Sequence, residues 1–91
     1  MEASTPAPDL PDYPHLRDHF AWCLQVMGGV TAASRRLDID ERALRRFVSG
    51  ERPLSANLLA DTATALRRLI ADATAAEADL AAALGDQPGA I

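Results

Sequence analysis

The sequence predicts an all-α protein, a bundle of four to five helices ending in one long helix, from three observations. Alanine and leucine, both strong helix formers, dominate the chain, and aromatic residues make up only 4% of it. Apolar residues recur at spacings of three and four along most of its length. No run of alternating β-branched residues suggests a strand.

At 91 residues the chain is sized for one domain. A domain this small buries a modest share of its surface, so association with a second copy would add materially to its stability. The single cysteine, Cys23, excludes an intramolecular disulfide, and no clustered histidines supply a structural metal site. The first residues lack a basic segment followed by an apolar run, and no apolar stretch approaches the roughly 20 residues of a membrane span. The expectation is a cytoplasmic protein without a cofactor, a membrane partner or an evident small-molecule ligand.

The net charge of -4 conceals a marked segregation. All nine basic residues are arginines, and six of them (Arg35, Arg36, Arg42, Arg45, Arg46 and Arg52) lie between residues 35 and 52. Beyond Arg68 there are only acids: Asp72, Glu77, Asp79 and Asp86. The distribution, a basic centre followed by an acidic end, says more about partners than the sum does.

Residues 1–14 carry Pro6, Pro8, Pro11 and Pro14 among small and acidic residues, which reads as a flexible arm. His15 to Met27 reads as the first helix, with Leu16, Phe20, Cys23, Leu24 and Met27 on one stripe and Trp22 off its centre beside Val26. Gly28-Gly29 stops it, because glycine takes the left-handed conformation without a Cβ clash. Val30 to Leu37 is a second helix with Val30, Ala33, Ser34 and Leu37 inward. Asp38-Ile39-Asp40 is the turn, and Asp40 is suited to cap the third helix, Glu41 to Ser49, which buries Leu44, Phe47 and Val48. Arg42, Arg45, Arg46 and Ser49 occupy its remaining arc, and Gly50 closes it.

Ser55 caps the last helix. Leu59, Ala63, Leu66, Leu69 or Ile70, Ala73, Ala76, Leu80 and Ala83 repeat along it to about Leu84, roughly 28 residues. At about 1.5 Å per residue this helix is some 40 Å long, more than a small domain needs. Residues 15–70 are therefore expected to form the compact domain. Residues 71–84 form an extension that must cover its apolar face elsewhere, with Ala73, Ala76, Leu80, Ala83 and Leu84 as the expected dimer interface. Residues 85–91 read as a tail.

The segment from Val30 to Gly50 fits a helix-turn-helix. Counting Val30 as the first position, the fourth, eighth, tenth, fifteenth and eighteenth should be apolar, and they are Ala33, Leu37, Ile39, Leu44 and Phe47. The fifth must be small, and it is Ser34. The ninth usually takes a left-handed conformation and is most often glycine. Here it is Asp38, which accepts that conformation better than most residues.

On these residues the chain resembles the Cro and phage-repressor type of helix-turn-helix regulators, the XRE family. The resemblance runs from about Leu16 to Leu69 and includes the loop in FVSGERPLSANLLADTATAL, similar to that family's glycine-basic-proline loop. It implies a DNA-binding transcriptional regulator, repressor-like and acting as a homodimer on a pseudo-palindromic operator, with a nucleoid-associated location. The third helix would enter the major groove. Glu41, Arg42 and Arg46 match base-contacting positions, and arginine suits guanine because it grips O6 and N7 together. Glu41 either accepts from a cytosine or orients Arg45 from one turn away. Val30 and Thr31 through backbone N–H groups, and Arg35, Arg36, Arg45, Ser49 and Arg52, would hold phosphates, with one of Arg35 and Arg36 left to pair with acids of its own chain.

Plainer explanations stand beside these. Arginine-rich helices are commonly solvated faces, and Arg67 and Arg68 on the long helix read that way. His15 and His19 share a metal-compatible spacing without a further ligand. Cys23 lies on an apolar stripe and reads as a small buried hydrophobe. The alternative function is a protein-interaction module on the same scaffold, with the acidic last helix as its contact. No nucleophile-base set, phosphate loop or carboxylate pair supports an enzyme.

Overall fold

The computed structural model describes residues 15–85. They form four helices: α1 (Leu16–Val26), α2 (Val30–Leu37), α3 (Glu41–Ser49) and α4 (Ala56–Ala83). No strand occurs among the described residues. The arm expected over residues 1–14 and the end of the tail, 86–91, lie outside them.

Each boundary has a local cause. His15 and Met27, assigned to the first helix by sequence, are its caps. The Gly29 amide donates to the Leu24 carbonyl at 2.8 Å, the six-to-one bond that closes a helix through glycine. Gly28 has a further reason to be glycine: its φ is 114°, and a Cβ there would meet the Ala32 Cβ at 3.1 Å. Asp40 caps α3 by accepting from the Arg42 amide at 3.0 Å, and Ser55 caps α4 by accepting from the Leu58 amide at 3.1 Å.

The turn between α2 and α3 is made at Asp38, the only non-glycine residue at positive φ among the described residues (φ 58°, ψ 44°). Reversing direction there turns the Ile39 amide back to the Ser34 carbonyl at 3.1 Å, while the Ser34 hydroxyl donates to the Ile39 carbonyl at 2.6 Å. Ser34 is thus more than a small residue that lets the helices approach. It satisfies both polar groups of Ile39 and locks the turn.

The core is built where the four helices meet. Phe20, Leu24 and Met27 of α1, Ala33 of α2, Leu44 of α3, and Leu58 and Ala65 of α4 are buried together. Phe20, Leu24 and Leu44 are the largest side chains withdrawn from solvent. Phe47 adds an edge-on contact with Phe20, ring centroids 6.4 Å apart. Cys23 is buried beside this cluster, and burial pushes its thiol pKa up, so it sits there as an unionised small hydrophobe.

The inward face of α4 differs from the one its apolar residues suggest. Leu58, Thr62 and Ala65 point to the core, whereas Leu59, Ala63 and Leu66 are only partly buried and Ile70 is exposed. The face is rotated by about one residue because Thr62 is its centre. That hydroxyl donates to the Leu58 carbonyl one turn back at 2.8 Å, which removes the cost of burying it.

Beyond Ile70, α4 leaves the bundle. Residues 71–80 and 82–85 are all exposed, Leu80 to 64% and Leu84 to 78%. A helix of 28 residues is about 42 Å long, and the start of its second half is tied to α2 by an ion pair, Arg36 to Asp72 at 3.8 Å.

The left-handed turn makes a specific demand. Asp38→Gly is expected to hold stability or raise it by up to about 1 kcal/mol, and Asp38→Val to lower it by about 1–2 kcal/mol. Urea denaturation of both variants, followed by circular dichroism, measures the difference.

Candidate nucleic-acid interface

α3 has a large amphipathic contrast for nine residues. Leu44 alone is fully buried, with Phe47 and Val48 packed at its flanks. Glu41 and Ala43 are half-buried at its edges. Arg42, Arg45, Arg46 and Ser49 therefore share one exposed arc, placed there by helical spacing and by the anchoring of Leu44.

The arginines of that arc are not equivalent. Arg45 donates to Glu41 one turn back at 3.2 Å, so Glu41 orients Arg45 in this state. Arg46 approaches Glu51 of the following loop at 3.9 Å, with both side chains largely in water. Such surface pairs are worth about 0–1 kcal/mol and yield readily to a better anion. Arg42 has no acidic partner among the described residues, and its amide is taken by the Asp40 cap. It is the freest guanidinium on the arc.

The end of α3 is more elaborate than its sequence suggests. Gly50 takes φ 89°, and the chain reverses so that the Arg52 amide donates to the Arg46 carbonyl at 3.1 Å. Ser49, expected to hold phosphate, uses its hydroxyl twice in this turn: it donates to the Arg46 carbonyl at 3.1 Å and accepts from the Glu51 amide at 3.2 Å. Arg52 lays its guanidinium over the Phe47 ring, 5.1 Å from the centroid. The ring fixes the stem of Arg52 while its outer N–H groups stay in water.

Arg17 of α1 belongs to this neighbourhood and was not among the sequence candidates. Its guanidinium lies against Gly50, in the space a Cβ would occupy. A cation at the C-terminal end of α3 complements the negative end of the helix dipole. Arg17, Arg46 and Arg52 thus gather around one helix terminus. Nothing local could have revealed this, since Arg17 sits on the polar side of α1 like any solvated residue.

The remaining candidates fall into two places. Val30 and Thr31 form the first turn of α2, whose N-cap is Gly29, so that helix end carries free backbone N–H groups and no side-chain cap. Arg35 and Arg36 lie in its last turn and face α4. Arg36 pairs there with Asp72, so it is the member of the two that engages an acid of its own chain. The set expected from sequence therefore divides: Glu41, Arg42, Arg45, Arg46, Ser49 and Arg52 cluster on and just after α3, while Arg35 and Arg36 belong to the α2–α4 crossing.

Of the expected interface residues on the extension, Ala73, Ala76, Leu80, Ala83 and Leu84 are all exposed. No group of three or more His, Cys, Asp or Glu side chains able to hold a metal exists among the described residues, and no described helix is long and apolar enough to cross a membrane.

The close seat of Arg17 predicts that Gly50→Ala strains the backbone and displaces the guanidinium together. A loss of about 1–2 kcal/mol in thermal or urea unfolding is expected, larger than that of Ser49→Ala at the neighbouring exposed position.

In comparisons with known proteins, no family model, no curated protein and no solved structure matches this chain.

Proposed function

We propose that this protein is a sequence-specific binder of double-stranded DNA that regulates transcription in the manner of a repressor, with α3 as its recognition helix. The observation that carries the reading is the outward arc of α3. It is a short helix pinned by Leu44, crossed behind by α2 through a left-handed turn, with three arginines presented together and further arginines at its end. An α-helix of this width fits the major groove. Arg42, with no acidic partner among the described residues, and Arg46 read base edges, with Glu41 beside them. Arg45, Arg52 and the first amides of α2 at Val30 and Thr31 hold the sugar-phosphate backbone, and Arg17 joins them, while the Ser49 hydroxyl shapes the turn that carries Arg52. Arg35 and Arg36 reach phosphate only on the side turned toward α4. The acidic net charge does not oppose this, because Asp72, Glu77 and Asp79 lie on the part of α4 that leaves the bundle.

The same chain supplies a second copy. Residues 71–84 expose Leu80 and Leu84 with a seam of alanines. Two such helices packed together would cover this face and set the spacing of two recognition helices on a pseudo-palindromic operator. The exposed acidic extension also favours a second reading, in which the bundle is a scaffold and the extension docks on another protein.

Gel shifts against genomic fragments separate the two readings. On the DNA-binding reading, Arg42→Ala and Arg46→Ala each weaken binding to a selected site by about 1–3 kcal/mol and relax preference at the contacted base. Arg52→Ala weakens all sequences alike and reduces the salt dependence by about one ion. DNA binding that is unchanged in the Arg42→Ala, Arg46→Ala double variant sinks the assignment of α3.

Light scattering tests the extension. The full chain is expected to run as a dimer and a chain ending at Ile70 as a folded monomer, because every buried residue among the described ones precedes that point. Monomers in both cases would remove the role given to residues 71–84.

A further inference from the structure

A second concentration of positive charge lies where α2 crosses α4, and it shares no residue with α3. Arg35 and Arg36 from the last turn of α2 and Arg68 from α4 line an open groove of about 370 Å³, with Asp61 and Thr64 on the α4 wall. Three guanidinium groups face one carboxylate of the lining. Neither Arg35 nor Arg68 is paired with an acid among the described residues, and Arg36 holds only a long contact to the mostly exposed Asp72. The Thr64 hydroxyl accepts from Arg67 at 3.3 Å and keeps its own proton to donate.

We propose that this groove is a binding site for a small phosphate-bearing anion. Three reasons converge on that chemistry. Planar guanidinium forks match phosphate oxygens two at a time, and three of them on two packed helices form a partly preorganised cradle. The volume falls at the small end of ligand pockets, about 300–1,000 Å³, enough for a phosphate or pyrophosphate group with a short organic remainder. The lining has no aromatic ring on which a base would stack, so the phosphate itself is the recognised group. Arg35 and Arg68 grip it from opposite walls, and Arg36 exchanges Asp72 for the anion. The same phosphate chemistry occurs in a DNA backbone, but a concave groove between two helices favours the small ligand over a duplex. The inference does not rest on the assignment of α3 as recognition helix, since no residue of that helix lines the groove.

Inorganic pyrophosphate is the probe. It is titrated into the full chain at constant ionic strength, with sodium chloride as the control, and followed by amide chemical shifts and calorimetry. Saturable binding is expected, with shifts confined to the end of α2 and the middle of α4. Each charge-assisted grip is worth about tenfold or more in affinity. Arg35→Gln and Arg68→Gln should therefore each weaken binding about tenfold or more, while Arg42→Gln leaves it unchanged. All three residues are exposed, and circular dichroism confirms that the variants fold. Binding no stronger than that of chloride overturns the proposal, as does an equal loss in Arg42→Gln. Displacement of pyrophosphate by a short duplex, with duplex binding itself weakened by Arg68→Gln, overturns it too, because the groove would then belong to a DNA-contacting surface.

Discussion

The placement of α3 depends on the burial of one side chain, Leu44. The helix has nine residues, and most of them are polar or charged. An isolated helix of that length is marginal in water, so packing must hold it. Leu44 is completely buried against the cluster of Phe20, Leu24, Met27 and Ala33. Phe47, edge-on to Phe20, and Val48 stop it from rolling. With the helix pinned along that line, the positions of Arg42, Arg45 and Arg46 follow from a rise of about 1.5 Å and a turn of about 100° per residue. The turn at Asp38 depends on the same anchoring, since a left-handed aspartate persists only where packing and the two Ser34–Ile39 hydrogen bonds over-determine it.

Charge in this protein is arranged by face. Nine arginines and thirteen acids make an acidic chain, yet arginines gather in two separate places. One is the outer arc of α3 and its C-terminal end, where Arg17 and Arg52 arrive from other parts of the chain. The other is the α2–α4 groove. The ion pairs that touch these arginines are long or largely exposed. They keep the guanidinium groups oriented at little energetic gain, which leaves them available to an external anion.

The long helix joins the two themes. Its first half closes the core through Leu58, Thr62 and Ala65, and its second half is exposed but for Ala81. A polar residue at the centre of the buried face displaced the apparent stripe, because hydropathy counts a threonine as solvated whereas its hydroxyl can be satisfied by its own helix. The second half keeps an apolar seam that its own domain cannot reach.

The sequence by itself determined the local structure. The four helices, the caps Asp40 and Ser55, the glycine stop after α1 and the turn at Asp38 are marked by residues at most a few positions apart, although packing is what holds α3 and the turn in place. The grouping of Arg42, Arg45, Arg46 and Ser49 on one arc was legible for the same reason, as was the pairing of Glu41 with Arg45. Only the tertiary structure decided the rotation of α4, the arrival of Arg17 at Gly50, the stacking of Arg52 on Phe47, and the removal of Arg35 and Arg36 to a groove closed by Arg68. Such contacts between distant residues depend on how helices cross, and crossing is set by the shapes of Leu44, Ala33 and Phe20 packed together. No periodicity in the chain records that geometry.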